Sequence, residues 1–262
     1  MINEEGVNVS GYHLLRMDLG RIFTGPKIYI SICISLAILL RPLVEIIAGG
    51  GGGTFLTLQT LPFGLSDFSP FAAIFCVLPF ADSFCEDYNS GIVTPIVQRV
   101  GIGRYAFGRC LSVALSGGIA MGLTVLITLS TCFVLAEEPD TYESVRFWIE
   151  GNSLWYRMNL IFRYHGLGVL GYRVLFGFLF GCAWSMVGLA ISTLVVNRYI
   201  TFIAPFVIYQ AGWFLIKGNC NPVKLLRGDY VPSVSYLVCC QLAVVGACSV
   251  FSYFRIRKKV IV

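Results

Sequence analysis

Few side chains in this sequence could act on a substrate together. His13 and His165 are its two histidines, and the apolar runs between them put them on opposite sides of a membrane, where they cannot share a metal ion. The ten cysteines, Cys76, Cys132, Cys182, Cys239 and Cys240 among them, lie mostly inside apolar runs, where cysteine behaves as a small hydrophobe. They offer neither a disulfide framework nor the paired spacing of a metal site. The five glycines Gly49 to Gly53 make a flexible connector. They are not a phosphate loop, which ends in Gly-Lys-Ser or Gly-Lys-Thr at a helix start; the chain has neither sequence. No nucleophile stands beside a base at a compatible depth. The residues therefore point to no catalytic group, no metal and no cofactor in this chain.

Polar groups do occur in apolar surroundings. Arg41 and Glu45 flank Pro42 and, four apart on a helix, are close enough to pair. Ionisable groups at membrane depth are costly unless paired or turned to a cavity, which makes them site candidates. So near the end of an apolar run, a pair that snorkels to the interface is the other reading. Asp82 has the same two readings. Gln210, just beyond Pro205, and Gln241 are each able to hydrogen-bond a neighbouring helix or to line a pathway.

The most informative stretch is Phe84 to Arg109. An apolar run continues into Glu86 and Asp87 and then breaks at Asn89-Ser90-Gly91. A short amphipathic piece follows, with Ile92, Val93, Ile96 and Val97 forming an apolar side before Arg99. Gly101 and Gly103 are expected to turn the chain back toward another apolar run, headed by Arg104 and Arg109. A short helix with an apolar knob and flanking charges, held between two long helices, suits being gripped by a soluble partner.

The elements that must hold this stretch are membrane spans. Of 262 residues, 56% are hydrophobic and only 13% charged, about half the charged share of a soluble globular protein. The apolar residues fall into runs of about twenty, the length a helix needs to cross roughly 30 Å of hydrocarbon. The expected fold is all-α, a single transmembrane domain over residues 1–262 with about six spans: 28–48, 68–85, 107–136, 169–196, 199–216 and 231–254. The polar start, Met1 to Ser10, and the length of the first run mark that run as a retained helix, not a signal core. Ahead of it, Tyr12, Leu15, Leu19, Ile22 and Phe23 recur at helical spacing. This segment, about 11–24, reads as an amphipathic elbow in the membrane interface or as an extension of the first span. Gly118 with Gly122, and Gly177 with Gly181, allow close helix approach, within the chain or across a dimer.

Orientation follows from basic residues, which favour the cytoplasmic side. With six spans, one side holds Arg16, Arg21, Lys27, Arg99, Arg104, Arg109, Arg198, Arg255, Arg257, Lys258 and Lys259, eleven of the nineteen Lys and Arg. The opposite side mixes Arg146, Arg157, Arg163, Lys217, Lys224 and Arg227 with Glu137, Glu138, Asp140, Glu143, Glu150 and Asp229. Both termini are therefore expected in the cytoplasm, in the plasma membrane of a bacterial cell. The aromatic outer segment from Glu137 to Gly166, with Trp148, Trp155 and Tyr156, is expected to lie in the outer headgroup region.

With these elements in place, the sequence resembles the permease subunits of ABC transporters of the ABC-2 type. In that family a Glu-x-x-x-x-Gly-[Thr or apolar] stretch follows the second helix and leads to an Arg and a basic start to the third. The matching positions here are Glu86, Gly91, Ile92, Arg99, Arg104 and Arg109; Ile92 stands where Thr is common and Arg109 where Lys is common. The resemblance also covers the elbow, the span count and the basic tail. It implies that Glu86, Asp87, Gly91, Ile92, Arg99, Arg104 and Arg109 form a loop coupled to a separate ATP-binding subunit, which would carry ATP and Mg. It implies a homodimer, or a heterodimer with a similar permease, in the lipid bilayer, and no nucleic-acid partner. An amphipathic or hydrophobic substrate, such as a peptide, drug or lipid-like molecule, would be exported. The competing expectations are a secondary transporter driven by an ion gradient, whose two halves should then match, and an intramembrane enzyme.

Overall fold

A computed structural model describes residues 11–50, 53, 55–136, 166–227 and 234–261 of the protein. The aromatic stretch expected on the outer surface falls outside these residues from Glu137 as far as His165. All regular structure among the described residues is helical.

The first helix, α1 (Gly11–Thr24), stops at Gly25, and α2 (Pro26–Ala48) begins with proline at its first position. Proline is tolerated there because that N–H has no partner within the helix. The two are thus separate helices. The buried side of α1 is Leu14, Asp18 and Ile22, one step round from the expected Tyr12, Leu15, Leu19, Ile22 and Phe23; Phe23 is exposed. An acid at the centre of a buried face is the first sign that charge, and not apolar periodicity alone, sets this helix's orientation.

Two long helices, α7 (Ile102–Leu135) and α8 (Gly166–Leu194), form the central pair. Small residues bring their backbones together: a Cβ on Gly181 would stand 2.2 Å from the carbonyl oxygen of Gly117. A Cβ on Gly118 would meet Cys182 Sγ at 2.6 Å, and one on Gly177 would meet Val125 at 2.7 Å. The small residues singled out in the sequence therefore serve contact within the chain, with Gly117 the closest point of approach. Around this pair sit α2, α9 (Arg198–Leu215) and α11 (Val234–Ile261), with the short α10 (Pro222–Arg227) beside α8 and α9.

Between α2 and α7 the described residues form four short helices: α3 (Phe55–Leu65), α4 (Phe68–Val77), α5 (Ser83–Asn89) and α6 (Val93–Val100). The apolar run expected as one span from Phe68 to Cys85 is divided at residues 78–82. Pro79 is the physical cause, since proline has no N–H and its ring excludes the bond to the carbonyl four residues back. That carbonyl, on Phe75, accepts instead from the Ser31 hydroxyl of α2 at 2.7 Å. The break is thus satisfied across helices.

Among the described residues, four helical segments are long and apolar enough to cross a membrane: Pro26–Ala48, Ile102–Leu135, Leu170–Leu194 and Ser235–Val260. The bent pair α3 and α4, meeting at 83°, would make a fifth if counted as one span. These lengths fit a multi-pass membrane protein. The fifth run expected in the sequence is α9, 18 residues that open on Arg198-Tyr199 and carry Gln210, and it is not among the four.

Gly181→Leu should lower the melting temperature in detergent sharply, by more than the roughly 1–3 kcal/mol of ordinary overpacking, because the obstructing atom is backbone. Gly171→Ala, where an added Cβ meets nothing within 4 Å, should leave it unchanged. Equal melting of the two variants would contradict the backbone contact.

Candidate functional site

The stretch singled out in the sequence is a helical hairpin, α5 and α6, joined at Gly91 and leading into α7 through Gly101. Both glycines have positive φ, +71° and +85°, a region that side chains with a Cβ rarely adopt. Gly103, expected to share the second turn, lies instead in the first turn of α7, close to the Tyr253 hydroxyl.

The apolar side of α6 is turned mainly inward. Val93 and Val100 are buried, and Ile96 and Val97 pack half-buried on the core that contains Phe84 and Tyr105. Ile92, Pro95 and Arg99 are exposed; their spacing puts them on one outward strip of the helix. So the knob expected from four apolar residues reduces to Ile92, at 49% exposure, with a basic residue two turns along. Arg104 is also exposed, at the head of α7.

Beneath the hairpin lies a network of charges. Arg109, expected as part of a basic loop, is fully buried. Its guanidinium binds the Asp87 carboxylate of α5 and stands 3.4 Å from Asp18 Oδ1 of α1. The Ser112 hydroxyl donates to Asp18 Oδ2 at 3.0 Å, and Arg21 Nη1 lies 3.0 Å from Asp87 Oδ1. The Phe80 ring receives Arg109 at 5.5 Å and Arg21 at 5.6 Å, close enough for cation–π attraction. Alongside, Lys27 Nζ of α2 lies 2.8 Å from both Asp82 Oδ2 and Glu86 Oε1. Arg198 of α9 reaches the same Glu86 oxygen at 3.0 Å.

Four carboxylates thus meet four cations, and the network joins α1, α2, α5, α7 and α9. Burial raises the Asp18 and Asp82 carboxyls above their ordinary values, more than Arg109 and Lys27 respectively offset. Burial also pushes Glu86 up, but the Lys27 hydrogen bond and charge, with Arg198 and Arg21, outweigh it and hold Glu86 below the usual range. Of these partners Asp18, Lys27, Arg21 and Arg198 were not singled out as site residues. The available signal was Asp18, an acid four residues from Leu14 and four from Ile22 on a helix that otherwise buries apolar groups.

The same end of the bundle gathers the C-terminal turn of α11. Lys259 donates to the Thr193 carbonyl at 2.9 Å, at the end of α8, and lies 5.6 Å from the Tyr88 ring. An open recess of about 460 Å³ is lined by Arg21, Arg198, Glu86, Asp87, Asn89 and Ile92 among others. The other candidates lie elsewhere. Arg41 and Glu45 pair at 2.8 Å on the exposed side of α2 and neutralise each other outside the bundle. Gln210 donates to the Pro70 carbonyl at 2.9 Å, beside Tyr209, whose hydroxyl donates to the Ser69 carbonyl at 2.7 Å; together they latch α9 to α4. Gln241 donates to the Leu225 carbonyl of α10 at 3.2 Å.

Among the described residues no three His, Cys, Asp or Glu side chains are grouped to hold a metal ion. The chain matches no family model, no curated protein and no solved structure.

Replacing Arg109 by Leu leaves the buried Asp18 and Asp87 carboxylates only the partly exposed Arg21 to share, which should cost about 3 kcal/mol. Adding Asp18→Asn and Asp87→Asn to Arg109→Leu should recover most of the loss. Thermal melting of the purified variants decides it, and a triple variant no better than Arg109→Leu alone would sink the paired-charge account. Glu86 carries the opposite sign from Asp18 and Asp82. Its folded value is depressed, so the stability it adds is present above the ordinary value of 4.5 and is lost as pH falls through the folded value. The melting advantage of wild type over Glu86→Gln should therefore shrink below about pH 4.5, and an advantage that grows there would refute the assignment.

Proposed function

We propose that this chain is the membrane subunit of an ATP-driven transporter similar to ABC-2 permeases, with the α5–α6 hairpin as the element gripped by a separate ATP-binding subunit. The observation that carries this reading is the mechanical contrast within the hairpin. Its outer strip, Ile92, Pro95 and Arg99, is exposed, while its inner side is bound to α7 through Asp87–Arg109, to α2 through Glu86–Lys27 and to α9 through Glu86–Arg198. A force on the strip would reach α7, α2 and α9 through these ties.

In this reading α1 is the elbow at the inner interface, six spans include α9 and the bent region of α3 and α4, and the charged end faces the cytoplasm of a bacterial cell, as the positive-inside tendency favours. The chain pairs with itself or a similar permease and leaves ATP hydrolysis to its partner, and an amphipathic or hydrophobic molecule is exported through the apolar bundle.

The test is copurification of an ATPase subunit with the tagged chain, followed by Ile92→Asp combined with Arg99→Glu. Both side chains are exposed, so the variant should melt like wild type yet lose the ATPase and any stimulated ATP turnover. An ATPase held equally well by the double variant counts against the hairpin as its seat; absence of any ATPase partner counts against the transporter reading as a whole.

A further inference from the structure

A second feature lies on another face of the bundle and does not depend on the transport reading. An apolar groove of about 450 Å³ runs between the first half of α7 and the middle and later turns of α11, lined by Phe107, Leu111, Ala114, Val245, Val250 and Phe254 among others. That volume falls in the roughly 300–1,000 Å³ range of small-molecule sites. The lining covers about 10 Å of α7 and about 14 Å of α11 at 1.5 Å per residue, the scale of a fatty chain within one leaflet.

Cations cap one end of this groove. Arg257 and Lys258 follow Tyr253 and Phe254 by four residues and so continue the groove face of α11 by one turn; both are exposed. Arg104 precedes Phe107 by three residues on the facing helix and is exposed as well. The helices are close at this point, since a Cβ on Gly103 would lie 3.3 Å from the Tyr253 hydroxyl. Neither α7 nor α11 contains a single Asp or Glu, so these two helices bring no carboxylate to Arg257 and Lys258.

We propose that this groove binds an anionic glycerophospholipid, with an acyl chain along Leu111, Ala114 and Val250 and the phosphate at Arg257, Lys258 and Arg104. The charge pattern selects this occupant over a second copy of the chain. Two copies meeting groove to groove would bring their cationic rims together, whereas an anionic headgroup neutralises the rim and its own chain fills the apolar length. Basic residues at a membrane surface each attract anionic lipid by a factor of about five.

Native mass spectrometry of the purified full chain in detergent, titrated with phosphatidylglycerol or with phosphatidylcholine of the same acyl chains, tests this. Wild type should retain phosphatidylglycerol at least about tenfold better. Arg257→Gln combined with Lys258→Gln should cut that preference by about tenfold or more, leaving at most the roughly fivefold that Arg104 contributes, and Ala114→Phe should reduce retention of both lipids. Glycerol phosphate, lacking chains, should not compete. Equal retention of the two lipids by wild type, an unchanged preference in the charge variant, or full competition by glycerol phosphate would each overturn the proposal. Should Ala114→Phe fail to fold, the charge variant, altered only at exposed positions, still decides between these outcomes.

Discussion

Everything at the charged end of this molecule is arranged around one buried guanidinium. Arg109 has no exposure, and an ionised group taken that far from water survives only if its charge is matched. Asp18 and Asp87 supply the opposite charge from two other helices. Arginine suits the task because its planar fork can face two carboxylates at once. This requirement fixes the rotation of α1, which turns Asp18 inward in place of the more apolar side defined by Leu15, Leu19 and Phe23. It also fixes the approach of α5, whose Asp87 must reach the same point.

The length of α7 makes this burial feasible. Its 34 residues span about 51 Å, well beyond the roughly 30 Å of hydrocarbon, so several of its turns extend past the hydrocarbon. Arg109 sits two turns from the helix start. Farther along, close contact of Gly117 with Gly181 sets α7 against α8 with no side chain between them. A helix held by charge at one end and by backbone contact at its centre has little freedom to rotate. The polar links at Ser31, Tyr209 and Gln210, each donating to a backbone carbonyl of the α4 region, then place α4 against α2 and α9.

Long apolar runs were legible in the sequence because a stretch of about twenty hydrophobic residues matches the thickness of a bilayer and little else; α2, α7, α8 and α11 lie within a few residues of the expected bounds, α11 running seven residues further. The divided second run was legible in principle, since Pro79 stands in its middle. What could not be read was how the freed Phe75 carbonyl would be satisfied, because Ser31 is 44 positions away. The hairpin breaks at Gly91 and Gly101 followed from local turn chemistry. The charge network did not, for pairing across 22 residues between Asp87 and Arg109, or 112 between Arg198 and Glu86, leaves no periodic trace. Arg109 in particular reads as one more basic residue in a basic loop until the fold brings two acids to it.

The strengths of these links are unequal, and that inequality determines how the hairpin can move. Separating Asp87 from Arg109 would expose two buried charges to an apolar surround, a cost of several kcal/mol, so α5 and the head of α7 must travel as one body. The Arg198–Glu86 contact, with Arg198 half exposed, belongs to the class of surface pairs worth at most about 1 kcal/mol. Lys27 lies between these limits, sharing its charge between Asp82 and Glu86. Displacement of α6 would therefore carry α7 with it, strain the tie to α2, and release α9 first. The open recess, lined by Arg21 of α1, by Glu86 and Asp87 of α5 and by Arg198 of α9, lies beside this weaker tie.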